Sequence, residues 1–393
     1  MSIVNSVSVR IGTGVSEVSD ARSAAIEAAS EARAGLRGAR ADVAVVFASG
    51  RHLAAAEAAL DGVYEALDPE QLIGCGAGGV LGGEREIEGG DAVVVWAASL
   101  GEGSAQAFHA EVHETEEHLA VGGVPDLEGS TGVILLPDPF SFPTDQLLVE
   151  WGAAHPAVPV LGGLASGRRG DGEGALFIGS DVVDSGAVGL RFEGVEILPC
   201  VSQGAAPIGP ELTVTAAEGH VIHELAGRPA LERLRDAITG LCDRERAMIT
   251  QGLLLGIVVD HNKPDYEQGD FLVRGLVGAD PEAGTIAVGA GVSAGSVVRL
   301  HARDADSADQ DLRAALALRR TALGGRPPAG ALVFTCNGRG RGMFGVDDHD
   351  ACAVAAGLGG APAAGFFAAG EIGPVGGETF LHGFTATVAV FPS

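Results

Sequence analysis

Lysine is nearly missing from this chain. Lys263 is the only one in 393 residues, and arginine supplies the rest of the 25 positive side chains against 52 acidic ones. The resulting net charge of −27 excludes a nucleic-acid partner, because a phosphate backbone is held by clusters of Lys and Arg that release counterions. It also disfavours an anionic membrane surface. A Walker-type phosphate loop has no lysine to use. Aromatic residues make up only 5% of the chain while hydrophobic residues reach 46%, so the core must be built mainly of Ala, Val, Leu and Gly. Cysteines are few and scattered (Cys75, Cys200, Cys242, Cys336, Cys352), with no C-x-x-C pair; this fits reduced thiols in a cytosol better than a disulfide framework. No apolar run approaches the roughly 20 residues that span a bilayer, and the first residues lack a basic n-region. A cytoplasmic protein without membrane insertion is expected.

What is present in quantity is glycine, 61 residues of it, arranged in a weak internal repeat. Each copy opens with an apolar run: Asp42–Ser49, Thr131–Asp138 and Gly330–Cys336. A helix-like stretch follows, such as His52–Leu67 or Asp347–Leu358. A short apolar approach then enters a Gly-rich turn: Leu72–Gly79, Val160–Gly167 and Ala364–Gly370. Two further runs joined by Gly-containing turns close each copy at Ile87–Trp96, Val182–Phe192 and Phe380–Phe391. Strand, helix, strand and hairpin predict an α/β fold of mixed parallel and antiparallel sheets with flanking helices.

A different stretch separates the second and third copies. Helical spacing of Ile222, Leu225, Leu231, Leu234 and Ile238 predicts a helix within Glu218–Cys242. Strands are expected near Leu253–Val259, Phe271–Val277, Thr285–Val292 and Val297–His301, and an amphipathic helix over Asp304–Leu323. The Gly227-Arg-Pro229 break suggests two domains, residues 1–225 and 226–393.

The densest polar chemistry lies near the C-terminus: Cys336-Asn-Gly-Arg-Gly-Arg341 after one strand, and Gly370-Glu371 after the next. An arginine fork takes a carboxylate and a glutamate takes an ammonium group, which are the two ends of an amino acid. Asn337, Arg339, Arg341, Gly370 and Glu371 are therefore candidate ligand residues, with an Arg339–Glu371 ion pair bracing the loops as the structural alternative. Gly340–Gly345 matches G-x-G-x-x-G, but Asp347 and Asp348 stand where the helix would begin and would repel a pyrophosphate. Cys75 and Cys336 sit where strands meet Gly-rich loops; either is a nucleophile only if a histidine base stands nearby. Ser49 and Ser166 lie outside G-x-S-x-G and read as loop or ligand hydroxyls. His109, His113 and His118 lie in an acidic stretch read as a solvated helix rather than a zinc site, for H-E-x-x-H is lacking.

Phe47-Ala-Ser49, Leu72–Cys75, Val201–Gly209, Gly269–Gly275, Cys336–Arg341 and Gly365–Glu371, in this order, resemble the FIST family across about Ala41–Phe391. The resemblance implies an intracellular sensory protein with an N-terminal and a C-terminal FIST domain, its ligand an amino acid or related carboxylate metabolite. It also implies a separate signalling partner such as a histidine kinase, since no output segment is fused here. Haem serving as a nitric oxide sensor is implied for some members, and the cofactor stays open, as does an enzyme using a loop cysteine. By the logic of the repeat, Ser49, Cys75 and Ser166, at corresponding points of the copies, would complete the ligand's wall if the copies face one another, and Cys336 is a further candidate ligand residue.

Overall fold

The computed structural model describes residues 8–114, 119–170, 172–249 and 252–393. The fold is α/β, with mixed sheets in two compact units. One unit joins Met1–Val201 to Arg313–Ser393, and the other is Ser202–Leu312. The sequence division at 225/226 runs along the chain, whereas the compact units do not. The second unit is inserted between the second and third copies of the repeat.

All three copies are present in the larger unit. Each starts with a strand that is buried along most or all of its length: Val43–Ser49, Gly132–Pro137 and Pro328–Cys336. Each strand is followed by a helix, Ala56–Leu67, Thr144–Ala154 or His349–Gly357. The chain returns as a parallel neighbour, Gln71–Ala77, Val160–Gly163 or Ala363–Ala368. At corresponding places these return strands carry Gly74, Gly162 and Gly365. A Cβ there would stand within 2.0 Å of the carbonyl oxygens of Val46, Leu135 and Val333. Glycine is what lets the parallel strands approach so closely.

The hairpin of each copy does not join its own sheet. Gly79–Gly82 of the first copy pairs with Ala363–Ala368 of the third. Leu176–Ile178 of the second pairs with Gln71–Ala77 of the first, and Glu371–Val375 of the third pairs with Val160–Gly163 of the second. The exchange is cyclic, and it locks three sheets around one interior. Phe47, Phe334 and Phe366 meet there, as do Trp96, Phe192 and Phe391. It also creates three equivalent seams, where the helix of one copy packs on the outer hairpin strand of the next: Ala56–Leu67 on Asp181–Val183, Thr144–Ala154 on Glu378–His382, and His349–Gly357 on Arg85–Glu88.

The smaller unit is an antiparallel sheet that closes on itself, because Ala205–Glu218 pairs both with Val297–Arg303 and with Val221–Leu225. Here one expectation is corrected. The helix begins at Ala230, not near Glu218, and Ile222 and Leu225 belong to a strand. Gly227, at φ 73°, and Pro229 break the chain between them. A second correction concerns His109 and His113, which lie on the strand Ser104–Glu114 and not on a helix. Phe108, Ala110 and Val112 alternate inward with period two, and Ala187–Glu193 pairs alongside. His118 lies outside the described residues. Among the described residues no helix is long and apolar enough to cross a membrane, and no His, Cys, Asp and Glu cluster is placed to hold a metal ion.

Candidate functional site

The two arginines of the C-terminal constellation are placed very differently. Arg339 is sealed. Its Nε and Nη2 donate to the two oxygens of Asp350 at 2.6 and 2.9 Å, a bidentate pair with both side chains fully buried. Thr335 Oγ1 and His349 Nδ1 also bond to Asp350, at 2.5 and 2.9 Å. The Phe344 ring lies 5.1 Å from the guanidinium carbon and stacks on His349. Burial opposes the charge on Asp350, yet Arg339 and its hydrogen bonds hold the carboxyl well below its usual range. The Arg339–Glu371 pair weighed as a structural alternative is not the one formed. Asp350, in the first turn of the helix that follows, reaches the guanidinium instead.

Glu371 is also fully buried, and its Oε2 accepts from Thr385 N and Oγ1 at 3.0 and 2.8 Å. Burial pushes its carboxyl up to about 8, and the Cys336 thiol beside it is pushed up to about 12. Among the described residues Arg339 Nη1 is buried without a hydrogen-bond partner, and the Cys336 thiol is a hydrogen-bond neighbour of the Glu371 carboxyl.

Arg341 is open, its side chain 70% exposed, with Nη1 3.2 Å from Asp347 Oδ1. It borders a groove of about 950 Å³ along the seam between the first copy's hairpin and the third copy's helix. Glu17, Arg85, Glu86, Glu88, Asp347 and Asp348 supply its charges, and Gly89, Gly90 and Gly342 its backbone walls. The loop is tied to the hairpin by Arg341 N donating to Glu88 Oε1 at 2.8 Å and Glu86 N donating to Asp348 Oδ1 at 2.6 Å. Asp348 thus spends its carboxylate across the seam and not as a helix cap. Gly340, at φ 74°, allows the crossing, for a Cβ there would sit 2.6 Å from the Glu88 carboxylate. Glu86 accepts from Ala351 N at 2.9 Å, and burial raises its carboxyl to about 7.

The remaining sequence-chosen residues divide between the copies' meeting point and the interior. Ser166 Oγ accepts from Gly78 N at 2.9 Å and donates to Phe367 O, so it joins all three copies. Asn337 Oδ1 and Ser166 Oγ both stand about 4 Å from where a Gly78 Cβ would be, which places those two residues together. Ser49 Oγ donates to Gly90 O at 2.7 Å and so supports the groove's wall from behind. Gly370 is packed under Leu164 and Leu381. Cys75 is fully buried in the interior, and burial drives its thiol pKa far up.

Sequence reasoning missed Asp350, Glu86 and Glu88, which make the polar contacts, and Asp138. The last is buried at the strand end corresponding to Ser49 and Cys336. It accepts from Ser141 Oγ at 2.8 Å and pairs with Arg168 at 2.8 Å. Position within the repeat is the signal that finds it.

Two family matches cover the chain: the FIST N domain over residues 42–228 and the FIST C domain over residues 230–374. Their junction lies inside the smaller compact unit. An uncharacterised protein of Mycobacterium tuberculosis strain H37Rv is 46% identical over 384 residues, covering 98% of this chain and 100% of the relative. One from Mycobacterium bovis is also 46% identical, covering 98% of this chain and 99% of the relative. The chain belongs to the FIST family of sensory signal-transduction domains, with its N and C domains in tandem.

Proposed function

We propose that this protein senses a small amino-carboxylate, an amino acid or a close relative, in the groove beside Arg341, and passes the signal to a separate partner protein such as a histidine kinase. The observation that carries this reading is the exposed Arg341 guanidinium on a groove whose other charges are mostly carboxylates. Arg341 supplies a fork for the ligand's carboxylate, while Glu86 and Glu88 attract its ammonium group. Backbone from Gly89 and Gly342 lets the ligand approach without side-chain obstruction. Arg339 and Glu371 lie behind this groove as its frame and do not touch the ligand.

Binding is favoured over thiol catalysis by the state of Cys75 and Cys336. Burial pushes both thiols up, away from the thiolate that nucleophilic use needs. A thermal-shift screen of amino acids, amines and carboxylates tests the proposal. Amino-carboxylates are expected to raise Tm, and Arg341→Ala is expected to abolish the rise. Hits that stabilise Arg341→Ala as well as the parent move the site elsewhere. A complete set without any shift removes the sensor reading.

A further inference from the structure

The three equivalent seams are not filled alike. Between Ala56–Leu67 and Asp181–Val183, Tyr64 and Val182 are half-buried and both pack on the core cluster that includes Leu60, Val63 and Phe177. The seam beside Arg341 is polar. The third, between Thr144–Ala154 and the hairpin strand Glu378–His382, is an apolar cleft of about 370 Å³. We infer that this cleft is a second binding site, built for a small hydrophobic cation such as an arylalkylammonium ion.

Its lining is hydrocarbon and ring: Leu148, Trp151, Val158, Val160 and Phe380. Val149 stays 72% exposed at its edge. The volume lies near the lower end of the roughly 300–1,000 Å³ of ligand pockets, so a single ring with a short chain fits and a large cofactor does not. Charge then selects among such bodies. Asp145 stands on the helix wall and Glu378 on the hairpin wall. Both are exposed, and neither has an ion-pair partner among the described residues. The cleft's other titratable group, His155, stands 3.5 Å from Asp126. Two carboxylates on opposite walls repel an anion and attract a cation, while the apolar lining that includes Trp151 and Phe380 takes an aromatic body. This site stands independently of the reading of the polar seam.

Trp151 and the sealed Trp96 are the only tryptophans, so indole fluorescence reports on this cleft. The intact chain is titrated with phenethylammonium, 2-phenylethanol and phenylacetate. A saturable change in Trp emission is expected with the ammonium ion tightest, the alcohol weaker and the carboxylate weakest. Glu378→Gln and Asp145→Asn, both at exposed positions, are each expected to weaken the ammonium ion about three-fold and leave the alcohol unchanged. Equal binding of alcohol and ammonium ion, no saturable change with any of the three, or indifference to both substitutions would overturn the inference. So would binding of an arginine-rich peptide with an apolar anchor when the free amine does not bind, since that marks a protein-docking cleft.

Discussion

Arg339 and Arg341 are separated by one glycine and do opposite work. Arg339 finds Asp350 within the fold, gives up its water and becomes part of the interior. Arg341 pairs, among the described residues, with the exposed Asp347 and keeps a guanidinium that solvent can reach. The difference lies in neither side chain but in what the next helix offers. Asp350 is placed on its buried side, while Asp347 and Asp348 face the seam. A loop dense in charge therefore contains a frame and a mouth, and only the mouth can meet a ligand without the fold opening.

That contrast is open to direct attack. The severest change is Asp350→Ala, which strands a buried guanidinium. A loss of about 3–5 kcal/mol is expected in urea unfolding, as for other buried pairs broken from one side. A much smaller loss would mean that Arg339 is not framework. Next comes Glu371→Gln. Folding lifts this carboxyl from an ordinary value of 4.5 to about 8, so the folded state holds a proton that the unfolded state has lost. Its contribution is full below about 4.5 and declines as pH rises towards 8. The substitution should flatten that decline in a series of melts, and an unchanged slope would assign it to another group.

Arg341→Ala should change unfolding stability by less than about 0.5 kcal/mol, the usual range for exposed positions, while losing the ligand-induced shift. Smallest is the pH dependence of the groove. Burial raises the Glu86 carboxyl to about 7, so an ammonium-bearing ligand should bind several-fold more tightly at pH 8 than at pH 6. Calorimetry on Glu86→Gln should show that rise disappear.

The class of fold was legible because fully buried parallel strands write themselves as unbroken apolar runs, as in Val43–Ser49. The repeat was legible too, since each copy keeps its glycines. The exchange of hairpins was not, because the run Glu371–Val375 looks the same whichever sheet receives it. In the candidate site, Arg339, Arg341 and Glu371 stood out as charges among glycines. Which of them would be buried depended on Asp350 and on Glu88, whose partnership with the Arg341 backbone crosses most of the chain. The histidines at 109 and 113 misled for a local reason: residues four apart share a face on a helix and on a strand alike. The pairing with Ala187–Glu193 decides between them.

The cyclic exchange has a consequence for synthesis on the ribosome. Gly82 is made long before its strand partner Ala364, with the whole second copy and the inserted unit between them. The edge of Gln71–Ala77 is covered by the second copy, and that of Val160–Gly163 only by the third. A nascent chain must therefore carry bare strand edges until the third copy is made, which is the condition under which newly made proteins aggregate and chaperones hold them. A chain truncated before the third copy would keep those edges for its lifetime.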